Sequence, residues 1–146
     1  MSVVFREDDK KIELSIVNYE FPWQKGMDSF DADWLTVKID YEDAEHSAVY
    51  TDNCLLASEL ESMVDSIKNV IDGKETGIIM DFLEPYLNFS LTKIDDLYAI
   101  QIRFVYDTIE NWKEIYVSQG MSIAELKILH EELNALSEKF PHRNVD

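Results

Sequence analysis

Apolar and polar residues alternate at period two along most of the first fifty residues, which is the pattern of half-buried strands. The predicted strands are Val3–Phe5, Ile12–Tyr19, residues 33–42 and Ala48–Thr51. Asp8-Asp-Lys-Lys and Ala44 to His46 are predicted turns between consecutive runs, and a loop at Phe21-Pro-Trp-Gln-Lys-Gly26 follows the second run. The sequence therefore predicts that the first third of the chain folds as an antiparallel meander.

The hydrophobic period changes to that of a helix after residue 52. Apolar residues then recur at spacings of three and four, which places them on one side of an amphipathic helix. They are Leu56, Leu60, Met63, Ile67 and Val70. We predict a helix over residues 55–72, with Asp52 or Asn53 as its N-cap and Gly73 in the left-handed position after its last turn.

Four further strand-like runs and a second helix follow. The runs are Ile78–Leu83, Leu87–Lys93, Tyr98–Tyr106 and Lys113–Val117, with turn residues at Glu84-Pro85 and Asp95-Asp96. Ser122-Ile-Ala-Glu125 has the form of a capping box, and it predicts a helix over residues 122–139 that ends before Pro141. The order of elements predicts one α+β domain over residues 1–146. We expect a mostly antiparallel sheet in two meanders, with two amphipathic helices packed on one face.

Length and composition are those of an ordinary globular domain. The chain has 146 residues, 46% of them hydrophobic, which is enough to bury a core. No charged N-terminal segment precedes an apolar run, and no apolar run approaches the length of a membrane span. The single cysteine, Cys54, has no partner for an internal disulfide. These features predict a cytoplasmic protein.

Charge is the unusual feature of the composition. Thirty acidic residues against thirteen basic ones leave a net charge of -17, and residues 28–65 hold eleven carboxylates and only one lysine, Lys38. Solubility explains most acidic proteins, but a local concentration of charge favours a surface for a basic partner. Nucleic acid and anionic membranes are excluded as partners, because both require cationic protein surfaces.

Motifs for metal binding and catalysis are weak. Asp28-x-x-Asp31-x-Asp33 resembles the start of a calcium loop, but Leu35 and Thr36 stand where that loop needs an oxygen ligand and a glycine. The three histidines lack the spacing of zinc ligands. Cys54 lies near a predicted helix start but beside two leucines, which favours packing over reactivity. We therefore predict no metal, no cofactor and no enzymatic activity, although paired carboxylates are always available in so acidic a chain.

Aromatic residues are interleaved with the acidic cluster. We expect Phe21, Trp34 and Tyr50 in the core, and Trp23, Phe30 and Tyr41 on the surface. Carboxylates mixed with exposed rings suit a basic protein partner, because charge accelerates encounter and rings supply contact area. The candidate partner-binding residues are Asp28, Asp31, Asp33, Glu42, Asp43, Glu59, Asp65, Trp23, Phe30 and Tyr41.

A succession of short motifs resembles the WapI family of immunity proteins over nearly the whole chain. The motifs are Asn18-Tyr-Glu-Phe-Pro22, Asp31-Ala-Asp-Trp-Leu35, Asp52-Asn-Cys-Leu-Leu-Ala-Ser-Glu-Leu60, Phe82-Leu-Glu-Pro-Tyr-Leu-Asn-Phe89, Ile102-Arg-Phe104 and Phe140-Pro141. The resemblance implies a protein that protects a bacterium by binding the C-terminal domain of a contact-dependent toxin, a nuclease acting on tRNA. It identifies no contact residues.

Three interpretations of function follow from the residues and the resemblance. The first is an immunity protein, expected as a monomer, whose acidic surface occludes the basic cleft of a cognate toxin domain. The second is an acidic adaptor for another basic partner, and the third is a small enzyme that uses two carboxylates. The neighbouring gene discriminates between them, because an immunity protein is expected to be encoded beside its toxin.

Overall fold

The computed structural model describes residues 1–23, 29–84, 86–107 and 112–143. This part of the chain forms eight strands and three helices. In chain order they are β1 (Ser2–Glu7), β2 (Lys10–Tyr19), α1 (Ser29–Asp33), β3 (Trp34–Glu42), β4 (Ser47–Leu56), α2 (Ala57–Ile71), β5 (Gly77–Asp81), β6 (Leu87–Ile94), β7 (Leu97–Asp107), β8 (Trp112–Met121) and α3 (Ile123–Lys139).

The strands form two four-stranded antiparallel sheets, in the orders β1-β2-β3-β4 and β5-β6-β7-β8. Within each sheet every strand pairs with its neighbour in sequence. Short turns join β1 to β2 and β6 to β7, whereas residues 20–33, which include α1, lie between β2 and β3. Asp8 and Asp95 supply the positive φ angles of 51° and 55° that two of these turns require. The predicted α+β class with two meanders is confirmed.

The two sheets share one core. The Phe5 and Phe89 rings, one from each sheet, meet edge to face with centroids 6.4 Å apart. The sheets are also joined at β1 and β8, where the Arg6 backbone N–H donates to the Gln119 side chain at 2.9 Å and the Ser118 N–H donates to Glu7 at 3.1 Å. A small apolar cavity is lined by residues of both sheets and of both long helices.

The two long helices contribute their periodic apolar residues to this core. Leu60, Met63 and Ile67 of α2 are buried, as are Leu126, Leu129 and Leu133 of α3. The helices contact each other, α2 also contacts β4 and β5, and α3 contacts β1, β7 and β8. The placement of both helices on one face of a sheet stays a prediction.

The start of α2 differs from the prediction. β4 continues through residues 52–56, and the helix begins at Ala57, so Asp52 and Asn53 are strand residues and neither is the N-cap. The reason is tertiary: β3 extends far enough to pair Leu35 with Leu55 and Trp34 with Leu56. An apolar run such as Cys54-Leu-Leu fits a strand and a helix equally well, and here the neighbouring strand decides.

The other local predictions have mixed outcomes. The capping box of α3 is confirmed, with the Glu125 N–H donating to Ser122 Oγ and the Ser122 N–H donating to Glu125, both at 3.2 Å. Gly73 has the predicted left-handed conformation, with φ of 77°. Helix α1 was not predicted, because five residues carry no usable period. Pro85 of the predicted Glu84-Pro85 turn lies outside the described residues.

Candidate partner-binding surface

The turn between β3 and β4 is built around Asp43. Its Oδ1 accepts hydrogen bonds from the backbone N–H groups of Glu45 and His46, both at 2.8 Å, and its Oδ2 accepts one from the Tyr41 hydroxyl at 2.7 Å. The Tyr41 hydrogen bond is the main cause that lowers the pKa of Asp43 to about 2. Burial, followed by the bond to Asp43, raises the pKa of Tyr41 to about 12. These two candidate residues stabilise the turn.

Asp33 lies at the opposite end of β3 and is 1% exposed. Its Oδ2 accepts the N–H of Ser58 at 2.9 Å, so it caps the N-terminus of α2 from 25 positions earlier in the chain. Its Oδ1 accepts the backbone N–H of Arg143 at 3.0 Å and lies 2.9 Å from His142 Nδ1. A carboxylate enclosed by these three partners of its own chain is unavailable to another protein, which corrects its placement on the predicted surface.

Glu59 completes the cap of α2. One of its carboxylate oxygens accepts the Leu56 N–H at 2.9 Å, and the other accepts the Leu83 N–H at 2.7 Å. The carboxylate therefore satisfies a donor at the helix start and fixes the segment that follows β5. Negative charge near a helix N-terminus is also favourable for the helix dipole.

The chain after α3 forms a clasp, defined here as residues 140–143. The Arg143 guanidinium donates to the carbonyl oxygens of Phe21 at 2.7 Å, Pro22 at 3.1 Å and Ala32 at 2.6 Å. It also lies over the Tyr19 ring, 3.6 Å from the centroid, while the Tyr19 hydroxyl donates to the Pro141 carbonyl at 2.5 Å. The clasp thus joins the C-terminal segment to the end of β2 and to α1.

The remaining candidate residues lie at separate places. Glu42 is exposed at the end of β3, Asp65 is exposed on α2, and Asp31 is half-buried on α1. Burial, followed by the negative charge of Asp31, raises the pKa of Glu20. Trp23 is 61% exposed and its ring meets that of Phe21 at 5.8 Å. Asp28 and the side chain of Phe30 lie outside the described residues.

The predicted surface of acidic and aromatic candidate residues is therefore divided. Asp33 and Asp43 stand at opposite ends of β3, about 30 Å apart at the rise of a β-strand. Asp65 belongs to neither end. It lines an acidic cleft of about 230 Å³ between α2 and α3, together with Glu61 and Glu138. The structure places Asp33 and Glu59 at the N-terminus of α2 and Tyr41 against Asp43, but it does not gather all the carboxylates into one patch.

The predicted aromatic placements are partly wrong. Tyr41 is buried, at 9% exposure, because its ring lies on the inner face of β3, where the alternation places residues 35, 37 and 39 as well. Phe21, Trp34 and Tyr50 are half-buried and were predicted in the core. Phe21 follows the end of β2 and Tyr50 lies on the terminal strand β4, so each has core neighbours on one side only. Trp34 alternates with the buried residues 35, 37 and 39 and so belongs to the other face of β3.

Chemistry for catalysis or metal binding is sparse in the described residues. Cys54 is buried, and burial raises the pKa of its thiol to about 12, so the reactive thiolate is suppressed. No group of three or more His, Cys, Asp or Glu side chains in the described part is placed to hold a metal ion. No helix of the described part has the length and apolar character of a membrane span.

Comparison with protein families assigns the chain. The sequence model of the Immunity protein WapI-like family matches residues 4–141. The chain belongs to this immunity protein family. The match covers both sheets and all three helices, and it ends before His142 and Arg143, the two clasp residues that bind Asp33. No curated protein matches the chain.

Two solved structures resemble the fold of this WapI-like chain. One is the plant transcriptional regulator PBF-2, at 11% identity and a TM-score of 0.48, with 96% of this chain and 81% of that chain covered. The other is WHY3 from Arabidopsis thaliana, at 12% identity and a TM-score of 0.43, with 97% and 87% covered. At these TM-scores the resemblance carries nothing about the function of the WapI-like chain.

The residues that sequence reasoning missed are those of the clasp. Phe140-Pro141 predicts the end of a helix, but His142 and Arg143 belong to no local pattern. An arginine directly after a helix stop is ordinary on a surface, and only the folded chain places it against carbonyl groups more than a hundred positions earlier. A lone buried arginine leaves no local sequence signal of this kind.

Proposed function

We propose that this protein neutralises a cognate polymorphic toxin by binding its C-terminal nuclease domain, a tRNase, and covering the cleft that binds tRNA. The observation that carries the proposal is membership of the immunity family in a chain with a net charge of -17. A nuclease cleft that holds phosphate groups is basic, so an acidic protein complements it. In this proposal the protein is a cytoplasmic monomer of one domain that acts by binding, without enzymatic activity or cofactor.

The contact surface that we propose retains the exposed candidate residues, omits the structural ones and adds Glu45. Glu42, Glu45 and Asp65 are exposed, and Asp31 and Trp23 are the sequence neighbours of Ala32 and Pro22, whose carbonyls accept from Arg143. Asp33 is omitted because it is enclosed. Asp43, Glu59 and Tyr41 are omitted because their polar atoms are engaged in the turn and the helix cap.

The hairpin of β3 and β4 is by itself too small to cover the tRNA-binding cleft of a toxin domain. A stable complex buries about 1,200–2,000 Å² in total, which corresponds to roughly 20–30 residues on each partner. The exposed carboxylates are distributed over β3, the following turn and α2, so a partner that contacts several of them spans more than one element. Charge of this kind mainly accelerates association and selects basic partners.

Titration of toxin activity against this protein tests the mechanism. With the toxin domain encoded by the neighbouring gene and a tRNA substrate, we expect inhibition that saturates near one molecule per toxin domain. We also expect the complex to survive EDTA if the toxin domain folds without metal. Progressive loss of toxin activity at catalytic amounts of this protein would show an enzyme. Full toxin activity at a tenfold excess of this protein would contradict the proposal and favour the interpretation as an acidic adaptor for another partner.

Charge reversal tests the acidic surface. Replacing Glu42, Glu45 and Asp65 by lysine should slow association with the toxin domain and weaken its dependence on salt, because long-range attraction is lost. The matched control replaces Glu75, Asp96 and Glu132, which are also exposed, by lysine and changes the net charge equally. Equal slowing by both triple variants would show that total charge acts without a defined surface.

A further inference from the structure

β4 is the terminal strand of its sheet and has one neighbour, β3, in the described part of the chain. Its second edge therefore presents backbone N–H and C=O groups that no described strand pairs. Natural proteins protect such edges with lysine, proline or a bulge directed outward. Between Ser47 and Leu56 the chain has neither lysine nor proline, and Val49 is 57% exposed. The pairing of β4 with β3 shifts register between Asp52 and Leu55, so the regular edge is that of residues 47–52.

Two adjoining grooves follow this edge. One, of about 520 Å³, is lined by residues 49–52 of β4 and by Tyr86, Phe104, Val105 and Tyr106. The other, of about 290 Å³, is lined by Tyr41, Asp43, residues 46–48, Tyr50, Tyr106 and Ile115. Because Tyr50 and Tyr106 line both, the grooves form one path along residues 46–52, which we call the β4 groove. At the rise of a strand this path spans about 20 Å, enough for six extended residues.

The floor of the β4 groove is aromatic. The Tyr50 and Tyr106 rings stack with centroids 4.3 Å apart, and the Phe104 ring lies 5.6 Å from Tyr50. Packed rings of this kind are held in place by one another, so they offer contact area without losing much conformational entropy on binding. Side chains that alternate along a docked strand would meet these rings at every second position.

Charge decides between the possible occupants. The residues that line the groove include Asp43 and Asp52, and none of them is lysine or arginine. Glu42 and Glu45 are exposed at one end of the groove. A second copy of this chain would bring an equally acidic edge against this one, and like charges directly opposed are unfavourable. A strand that carries lysine or arginine is the complementary partner.

We propose that the β4 groove binds an extended basic segment of the toxin domain, which adds to the sheet as a fifth strand beside β4. This proposal rests on the proposed function, because it takes the toxin as the partner. Main-chain hydrogen bonds to the β4 edge supply affinity, and Asp52 in the groove, with Glu42 and Glu45 exposed at one end of it, selects basic side chains.

Charged substitutions on the two sheet edges test this proposal. Val49→Lys adds to the β4 edge the kind of residue that blocks strand addition, and it also repels a basic segment. We expect binding of the toxin domain to weaken about tenfold or more. Thr51→Lys, also at an exposed position, is the second variant. The matched control is Ile79→Lys, because Ile79 is 73% exposed on β5, the terminal strand of the other sheet. The affinity of this control variant for the toxin domain should stay within about twofold of the wild type.

Hydrogen exchange supplies the second measurement. Amides of residues 47–53 in the wild-type protein should gain protection when the toxin domain is added, and amides of β5 should not. If both β4 variants neutralise the toxin as well as the wild type does, and these wild-type amides gain no protection, the groove proposal is overturned and the proposed function still stands. Failure of the wild type to inhibit the toxin overturns both proposals. A wild-type dimer that Val49→Lys dissociates assigns the groove to a second copy and overturns the present assignment.

Discussion

At the scale of single residues, carboxylates of the same type do two different things in this protein. Asp33, Asp43 and Glu59 accept backbone N–H groups and stabilise the fold, whereas Glu42 and Asp65 are exposed. Among the described residues, no buried side-chain nitrogen or oxygen lacks a hydrogen-bond partner. Part of the acidic composition therefore stabilises the fold, and part lies exposed on the surface.

Replacing Asp33 by alanine separates these two roles. The Ser58 and Arg143 N–H groups would lose their acceptor, and we expect the free energy of unfolding to fall by about 2–4 kcal/mol. Urea denaturation measures this change. The control, Asp65→Ala, removes an exposed carboxylate from α2 and should stay within about 0.5 kcal/mol of the wild type. Normal stability with lost toxin binding in Asp33→Ala would return this residue to the contact surface.

Acid should weaken the β3–β4 turn. The pKa of Asp43 is lowered from 3.8 to about 2 in the folded protein, so its carboxylate stabilises the fold fully above about pH 4. That contribution is lost as the pH falls through the folded pKa, between about pH 4 and pH 2. In Asp43→Asn the Tm should therefore fall less steeply over this window than in the wild type, as thermal unfolding at several pH values would show.

Tyr41→Phe is the companion variant for the acid measurement. It removes the hydrogen bond that contributes most to the lowered pKa of Asp43, so part of the steep acid dependence should disappear. On the alkaline side, the pKa of Tyr41 is raised to about 12, and its contribution is complete below about pH 10 and lost as the pH rises towards 12. Identical acid profiles for wild type and both variants would contradict the role of this pair.

The sequence reveals the number of carboxylates but not their surroundings. Asp33 and Asp43 look alike in the sequence, each among other acids. The partners of Asp33 lie 25 and 110 positions later in the chain, and no local pattern encodes such contacts. The partners of Asp43 lie within three residues, so an Asx turn was in principle readable there. For this reason the sequence could not predict which of the candidate carboxylates are buried.

At the scale of elements, local signals succeed where an element carries its own start and stop. Helix α3 has its cap in its own sequence, and its predicted and observed starts agree within one residue. Helix α2 takes acceptors from Asp33 and Glu59, and its start was predicted two residues too early. Period and turn residues were sufficient for the two meanders, because their strands pair in chain order.

Matched substitutions compare the two helix caps. Glu59→Ala removes two hydrogen bonds, to the Leu56 and Leu83 N–H groups, and should reduce the free energy of unfolding by about 1–3 kcal/mol. Glu125→Ala removes one exposed capping bond and should cost about 0.5–1 kcal/mol. Hydrogen exchange should in addition show faster exchange at the Leu83 amide in Glu59→Ala only. Equal stability losses in the two variants would show that the link to Leu83 contributes nothing.

At the scale of the whole molecule, the sequence predicts which strands are neighbours but not how the sheets meet. The contact between β1 and β8 joins the first and last strands of the fold, and its residues are more than a hundred positions apart. The alternating apolar residues predict that one face of each sheet is buried. Which element packs against that face depends on the three-dimensional fold. The clasp is a second contact of this long-range kind.

The clasp has a consequence for the time course of folding. It joins residues 110 positions apart, and closing so long a loop is unfavourable until most of the chain is in place. We expect these bonds to form after the rate-limiting step. Arg143→Ala should then cost about 2 kcal/mol, unfold about thirtyfold faster and refold at the wild-type rate.

Stopped-flow refolding and unfolding in urea would measure both rates, with the exposed residue change Lys127→Ala as the control. A slower refolding rate in Arg143→Ala would place the clasp within the folding nucleus instead. If it forms late, the C-terminal clasp determines the lifetime of the folded protein and not the speed with which it is made. Under the proposed function, that lifetime sets the duration of protection.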